Sequence, residues 1–415
     1  MTARLKERPE IFHMPFGLSF ADALVVGVLR RYGGTPEDLA RVTLLLPNRR
    51  AVRTVREAFL RRSGGKPLIL PALRPLGDVD EDELIFTSGI EAADLDLPPA
   101  VPPLWRQLRL TQLVTAWARN LSGGATAPAQ AAELASALGR FLDEVQTAQC
   151  DFDRLDGLVA EDFAEHWQRT LQFLTIITRQ WPEIVREAGF MDGAERRKAM
   201  LQMLAELWEA SPPEDPVIAA GVLGGIPAAD RLLAVVARLP HGAIVLPGLD
   251  RHMDDESWDA IDSRHPQFAV KELLEAVGAE RREAADWLTP DEMDDLPRAP
   301  EGRGRLLSEA MRPAATTAAW RDLAIAESDL DGIFRIDAPS PREEAGAIAL
   351  IMRETLQTPG KTCALVTPDR QLARRVAAEL RRWGIAVDDS AVEPLRLTPP
   401  AVFLALTAEM VASRF

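Results

Sequence analysis

The stretch RVTLLLPNRRAVRTVREAFLRR, from Arg41 to Arg62, decides the fold class. Val42 to Pro47 is a short continuous apolar run, the pattern of a strand buried on both faces of a parallel sheet. Pro47 closes it, and Asn48 stands where a helix N-cap belongs. AVRTVREAFLRR then repeats apolar residues at helical spacing. Strand, cap and helix in that order predict an α/β fold with helices over a sheet. A helix that starts at the carboxyl edge of a strand offers free N–H groups and the positive end of its dipole. Arg49, Arg53 and Arg56 fall at i, i+4 and i+7, on one helix face, with Arg50 beside them. That joint is a candidate phosphate contact. An ordinary α/β joint with solvent-facing arginines has the same pattern.

The unit recurs far downstream. ALVTPDRQLARRVAAELRRWG, from Ala364 to Gly384, again runs apolar strand, Pro, cap (Asp369), Arg370 and helix, with Arg374 at the offset of Arg53. Two such units predict two equivalent α/β domains, as in the paired RecA-like domains of a translocase. Arg49, Arg50, Arg53, Arg370 and Arg374 are the expected DNA-binding residues.

Outward from these anchors the chain divides by pattern. Residues 1–97 read as the first part of a RecA-like domain, with a helix from Phe20 to Arg31 closed by Gly33-Gly34 and a second strand within Leu68 to Leu76. After the spacer DLPPAVPP, residues 98–213 are amphipathic helix throughout, an all-helical insertion. Residues 214–300 return to the first domain, with strands in PVIAAGVLGGIP and GAIVLPGLD. Residues 301–328 read as a linker. Residues 329–415 read as the beginning of a second RecA-like domain, truncated at Phe415, with strands expected in GIFRIDA and TCALVTPD.

Composition narrows the function classes. The chain of 415 residues is 47% hydrophobic and 27% charged, the balance of a globular protein of two or three domains. Its net charge of −15 argues against a protein that coats nucleic acid. Only five of its 48 basic residues are lysine, and the rest are arginine, which suits bidentate phosphate contacts; a compositional bias of the genome would leave the same mark. No apolar run reaches membrane-span length and no secretory signal opens the chain, so a cytoplasmic location is expected. Cys150 and Cys363 are too far apart in sequence for a C-x-x-C site.

No complete catalytic site is legible. Gly360-Lys361-Thr362 has the end of a P-loop, but Thr355 stands where its first Gly belongs, and a turn is expected. Phe16 to Ser19, where a helicase P-loop would sit, has neither the glycines nor the Lys. Asp250 follows an apolar strand and reads as a loop-capping residue. The cluster Asp78, Asp80, Glu81, Asp82 and Glu83 reads as a solvated or partner-facing acidic loop. Asp254 to Glu256 reads as the charge run of a helix start. The five histidines, His13, His166, His241, His252 and His265, never fall at metal-ligand spacing. Trp105, Trp117, Trp167, Trp181 and Trp208 are expected in cores.

Several segments together resemble the AddB subunit of alphaproteobacterial AddAB helicase–nucleases. They are RVTLLLPNRRAVRTVREAFLRRSGG, LILPALRPLGDVDEDEL, GAIVLPGLDRHMDDESWDAI with HPQF after it, and REEAGAIALIMRETLQTPGKTCALVTPDRQLARRVAAELRRWGIAVDDSA. The resemblance implies a superfamily 1 helicase-like body and a role in resecting DNA double-strand breaks for recombination. It implies a heterodimer with an AddA-type motor subunit and contact with DNA ends. The family's iron–sulfur cluster and nuclease metal would lie in a C-terminal region beyond this chain, so no cofactor is expected here. Val392 departs from the glycine usual in the family. The alternative is a scaffold for the motor subunit with no DNA contact. A nucleotide- or sugar-binding α/β enzyme is a third reading.

Overall fold

The computed structural model describes residues 4–76, 97–122, 127–150, 170, 173–174, 176–389 and 395–413. The acidic cluster from Asp78 to Glu83, His166, Trp167 and Val392 lie outside them. The chain falls into two units, Met1–Asp331 and Gly332–Phe415.

The first unit is built on six parallel strands: β1 (Ile11–Met14), β2 (Thr43–Leu46), β3 (Ala72–Pro75), β4 (Val217–Ala220), β5 (Gly242–Pro247) and β6 (Ala285–Asp286). Their order across the sheet is β3-β2-β4-β5-β1-β6. It differs from the 3-2-1-4-5-6 order of dinucleotide-binding folds.

Strand residues alternate between two cores, as the period of a strand requires. Ile11, Leu45, Val217, Ala219, Ile244 and Leu246 face one core. Met14, Leu44, Leu46, Ile218, Ala220 and Val245 face the other. Both faces are therefore apolar, which is why TLLL and VIAA read as unbroken runs. Each buried leucine of β2 contributes about 1.5–3 kcal/mol.

Helices α1 (Phe20–Tyr32), α2 (Pro36–Ala40) and α3 (Arg49–Arg62) cover the second core. Among the described residues four more lead to the other face: α4 (Pro103–Ser122), α5 (Pro128–Ala148), α6 (Trp181–Glu187) and α7 (Gly193–Ala210). The first three share a core of their own around Leu110, Val114, Leu138, Leu142 and Trp181. The fourth turns Met200, Leu201, Leu204 and Trp208 onto the sheet, so the end of the helical stretch belongs to the sheet's core. Helix α8 (Pro227–Val236) packs beside it; α9 (Asp255–Asp259) and α10 (Phe268–Val277) follow.

β1 and β6 carry little sequence signal. β1 is four residues with a histidine in it, and β6 is two residues. Both are fixed by neighbours: β1 pairs with β5 and β6.

The second unit holds α11 (Pro341–Leu356), α12 (Arg370–Arg381) and α13 (Pro399–Ala412). α11 and α12 pack through Ala345, Ala349, Leu372, Val376 and Leu380. The strands expected in GIFRIDA and TCALVTPD are not formed. Residues 332–338 and 362–367 lack helix and ladder, with Phe334 88% and Val366 94% exposed. Their apolar runs fit a strand, but a strand needs a hydrogen-bonded neighbour, and none is present among the described residues.

Candidate nucleic-acid interface

Connections leave β2 and β4 in opposite directions, β2 towards β3 and β4 towards β5. Their carboxyl ends flank a topological switch point, where open parallel sheets place ligands. A cleft of about 260 Å³ opens there. Pro47 after β2, Leu76 after β3 and Gly221 to Gly224 after β4 line it. α7 adds Arg197, Lys198 and Leu201. The lining is mostly apolar, with its charge supplied by two cations. Among the described residues neither Arg197 nor Lys198 has an acidic partner within ion-pair distance.

The β2–α3 joint lies at this edge. Asn48 is extended (φ −159°, ψ 173°), and its side chain accepts a hydrogen bond from the Ala51 N–H at 2.9 Å. The cap sets the start of α3, and Val55, Ala58 and Phe59 anchor its inner face. That fixes Arg49, Arg50, Arg53 and Arg56 on the exposed side. Arg53 pairs with Glu57 at 3.0 Å, both exposed. Such a pair is worth about 0.3–0.5 kcal/mol, so it yields readily to a phosphate.

The downstream copy keeps the helix and the cap. Asp369 accepts from the Gln371 N–H at 2.7 Å, and Arg370 and Arg374 follow on α12. Arg370 forms a two-pronged pair with Asp389 at 3.1 and 3.0 Å, and Arg374 is exposed. These two arginines belong to the second unit, and Arg49, Arg50 and Arg53 to the first.

The turn between β1 and α1, where a P-loop would sit, is filled by the chain itself. Ala299 donates its N–H to the Gly17 carbonyl at 3.0 Å, and Leu18 forms an antiparallel bridge with Arg298. Gly17 has φ +90°, and a Cβ there would lie 2.7 Å from Ala299 Cβ. Phe16 fills the space beside Gly248. The glycine thus serves close packing of residues 298–304 on the turn. Gly360-Lys361-Thr362 is an ordinary turn in which Lys361 donates its N–H to the Thr358 carbonyl. Asp250 caps its loop, accepting from the His252 and Met253 N–H groups at 2.9 and 3.0 Å. Asp254 caps α9 through the Ser257 N–H, and Arg312 beside it helps hold its carboxyl down at about 2. Trp105, Trp117, Trp181 and Trp208 pack in the cores. Cys150 and Cys363 are exposed; two thiols do not make the four-thiolate set of an iron–sulfur cluster.

Two groups at the sheet's carboxyl edge escape sequence reading. Arg197 and Lys198 lie on an amphipathic helix like any other, and only tertiary packing brings them to the cleft. His13 meets Asp286 at 2.6 Å and Arg251 at 2.7 Å, from three separate parts of the chain.

Fold and edge together define an open parallel α/β protein with a cation-rimmed cleft at a switch point. No protein-family model matches the chain, and no curated protein matches it in sequence.

Proposed function

We propose that this chain is the DNA-guiding, partner-docking portion of a helicase–nuclease subunit that processes double-strand breaks, of the AddB kind. The observation that carries the reading is the row Arg49, Arg50 and Arg53 on the first turns of α3, at the carboxyl edge beside the cleft. Arginines on a helix start can take phosphates in two-pronged fashion, and the helix dipole adds to them. The apolar lining between Pro47 and Ile226 suits bases, which are apolar on their faces. The parallel sheet is compatible with a RecA-like domain, and its order disfavours a dinucleotide enzyme. The resemblance to AddB supplies the partner, an AddA-type motor subunit, and the substrate, DNA ends.

The test is the salt dependence of forked-DNA binding. Replacing Arg49, Arg50 and Arg53 by Ala removes three phosphate contacts, and the slope of log K against log salt flattens by about 2 at about 0.7 per contact. An unchanged slope in a folded variant removes these arginines from the interface. A second reading is a scaffold for the motor subunit without DNA contact. The net charge of −15 and the filled β1–α1 turn favour it. Salt-dependent binding of the isolated chain to DNA would overturn it.

A further inference from the structure

We propose that Asp230 is a pH-sensitive latch behind the turn that walls the cleft, pinning the turn from Gly221 to Gly225 in acid and releasing it as pH rises. Its consequence for nucleic acid rests on the function proposed above; the latch itself does not.

The turn carries β4 into α8 and supplies Gly221, Val222, Leu223 and Gly224 to the cleft. Gly221, Gly224 and Gly225 have φ of +75°, +86° and +90°. A Cβ on Gly224 would lie 2.7 Å from the Ala269 carbonyl and 2.8 Å from Leu273 Cβ, so the turn is pressed against α10. A side chain also ties it: Asp230 Oδ2 accepts the Gly225 N–H at 3.1 Å.

That carboxyl is badly placed for a charge. Asp230 is 7% exposed, and its Oδ1 is buried without a hydrogen-bond partner. Its surroundings hold few compensating cations. On α8 itself Arg231 pairs with Glu209 of α7 at 3.2 Å. Arg238, after α8, donates to the Ala234 carbonyl. α10 contributes Glu272, a like charge, and α5 contributes Ala148. β4 and β5 carry no charged residue.

Burial first, and Glu272 with it, push the Asp230 carboxyl up to about 6, against the pull of the Gly225 N–H. The sign follows. A carboxyl whose value is raised in the folded state is held best when protonated. Its contribution is complete below its ordinary value, and it is lost as pH rises through about 6. Above that the buried carboxylate gains by turning out to water, and it takes the Gly225 contact with it.

The experiment is amide hydrogen exchange of the peptide covering residues 221–226 in the full chain, corrected for intrinsic rates. Between about pH 5 and pH 7.5 protection of this peptide falls by about fivefold or more in the wild type. Asp230→Asn keeps an acceptor for Gly225 and cannot ionise, so its protection is the same at both pH values. Asp230→Ala exchanges fast at both. Wild type and Asp230→Asn changing together would overturn the latch. Binding of a single-stranded oligonucleotide is read in parallel. Affinity that varies with pH in the wild type but not in Asp230→Asn joins the latch to the cleft. No binding at any pH, with the exchange result intact, sinks the proposed function and leaves the latch standing.

Discussion

His13 stands opposite Asp286 in the β1–β6 register, and its ring is almost fully buried. Nε2 lies 2.6 Å from Asp286 Oδ1, Arg251 approaches the same nitrogen at 2.7 Å, and Nδ1 has no partner. Burial, then the Arg251 charge, hold the ring below its ordinary 6.5 despite Asp286. The unfolded chain therefore takes up a proton more readily than the folded one. Stability from this group is full above about 6.5 and is lost below that, as pH falls through the lower value of the folded ring. The melting temperature is expected to fall between about pH 7.5 and pH 5.5, and less steeply in His13→Phe. Equal slopes would place the acid sensitivity on another group. The histidine is visible in the sequence, but its partners lie more than 200 residues away, and nothing local names them. Arg49, Arg50 and Arg53 are the opposite case, legible because a strand, a cap and a helix face are all local patterns. Arg197 and Lys198 are not, since their place at the cleft depends on how α7 meets the sheet.

β2 shows what a short element can hold. Its four residues lie between β3 and β4, and Leu44, Leu45 and Leu46 face the two cores in turn. Leu45→Ala leaves a cavity in a close-packed layer and is expected to cost about 2–5 kcal/mol in urea unfolding. Asn48→Ala leaves the Ala51 N–H without its cap and is expected to cost about 1 kcal/mol. A cost near zero would mean that water replaces the cap. The central strands are readable as unbroken apolar runs buried on both faces, and the long helices because each buries a periodic face. β1 and β6 are not, because strands of four and two residues have too few positions for a period to show. Residues 332–338 and 362–367 fail in the other direction: their pattern is strand-like, but pairing is a tertiary fact that no single segment contains.

The two units differ in what holds them. Met1–Asp331 carries two extensive cores on either side of its sheet and a third among its helices. Among the described residues, Gly332–Phe415 has a core of five buried residues, small for its length. Stepwise unfolding is therefore expected, with the helices of residues 341–412 melting first. Calorimetry of the whole chain, with exchange to assign each step, checks this; a single cooperative transition would contradict it. Connectivity within the first unit has a consequence for synthesis. β1 is made well before its ladder partners, which begin at Gly242, roughly 230 residues later. At about 5–20 residues per second a ribosome needs about 10–50 s to supply them. During that interval Ile11 and Met14 have no ladder strand to lie against. Closing the sheet around β1 is thus a late event, held back until β5 and β6 have left the ribosome.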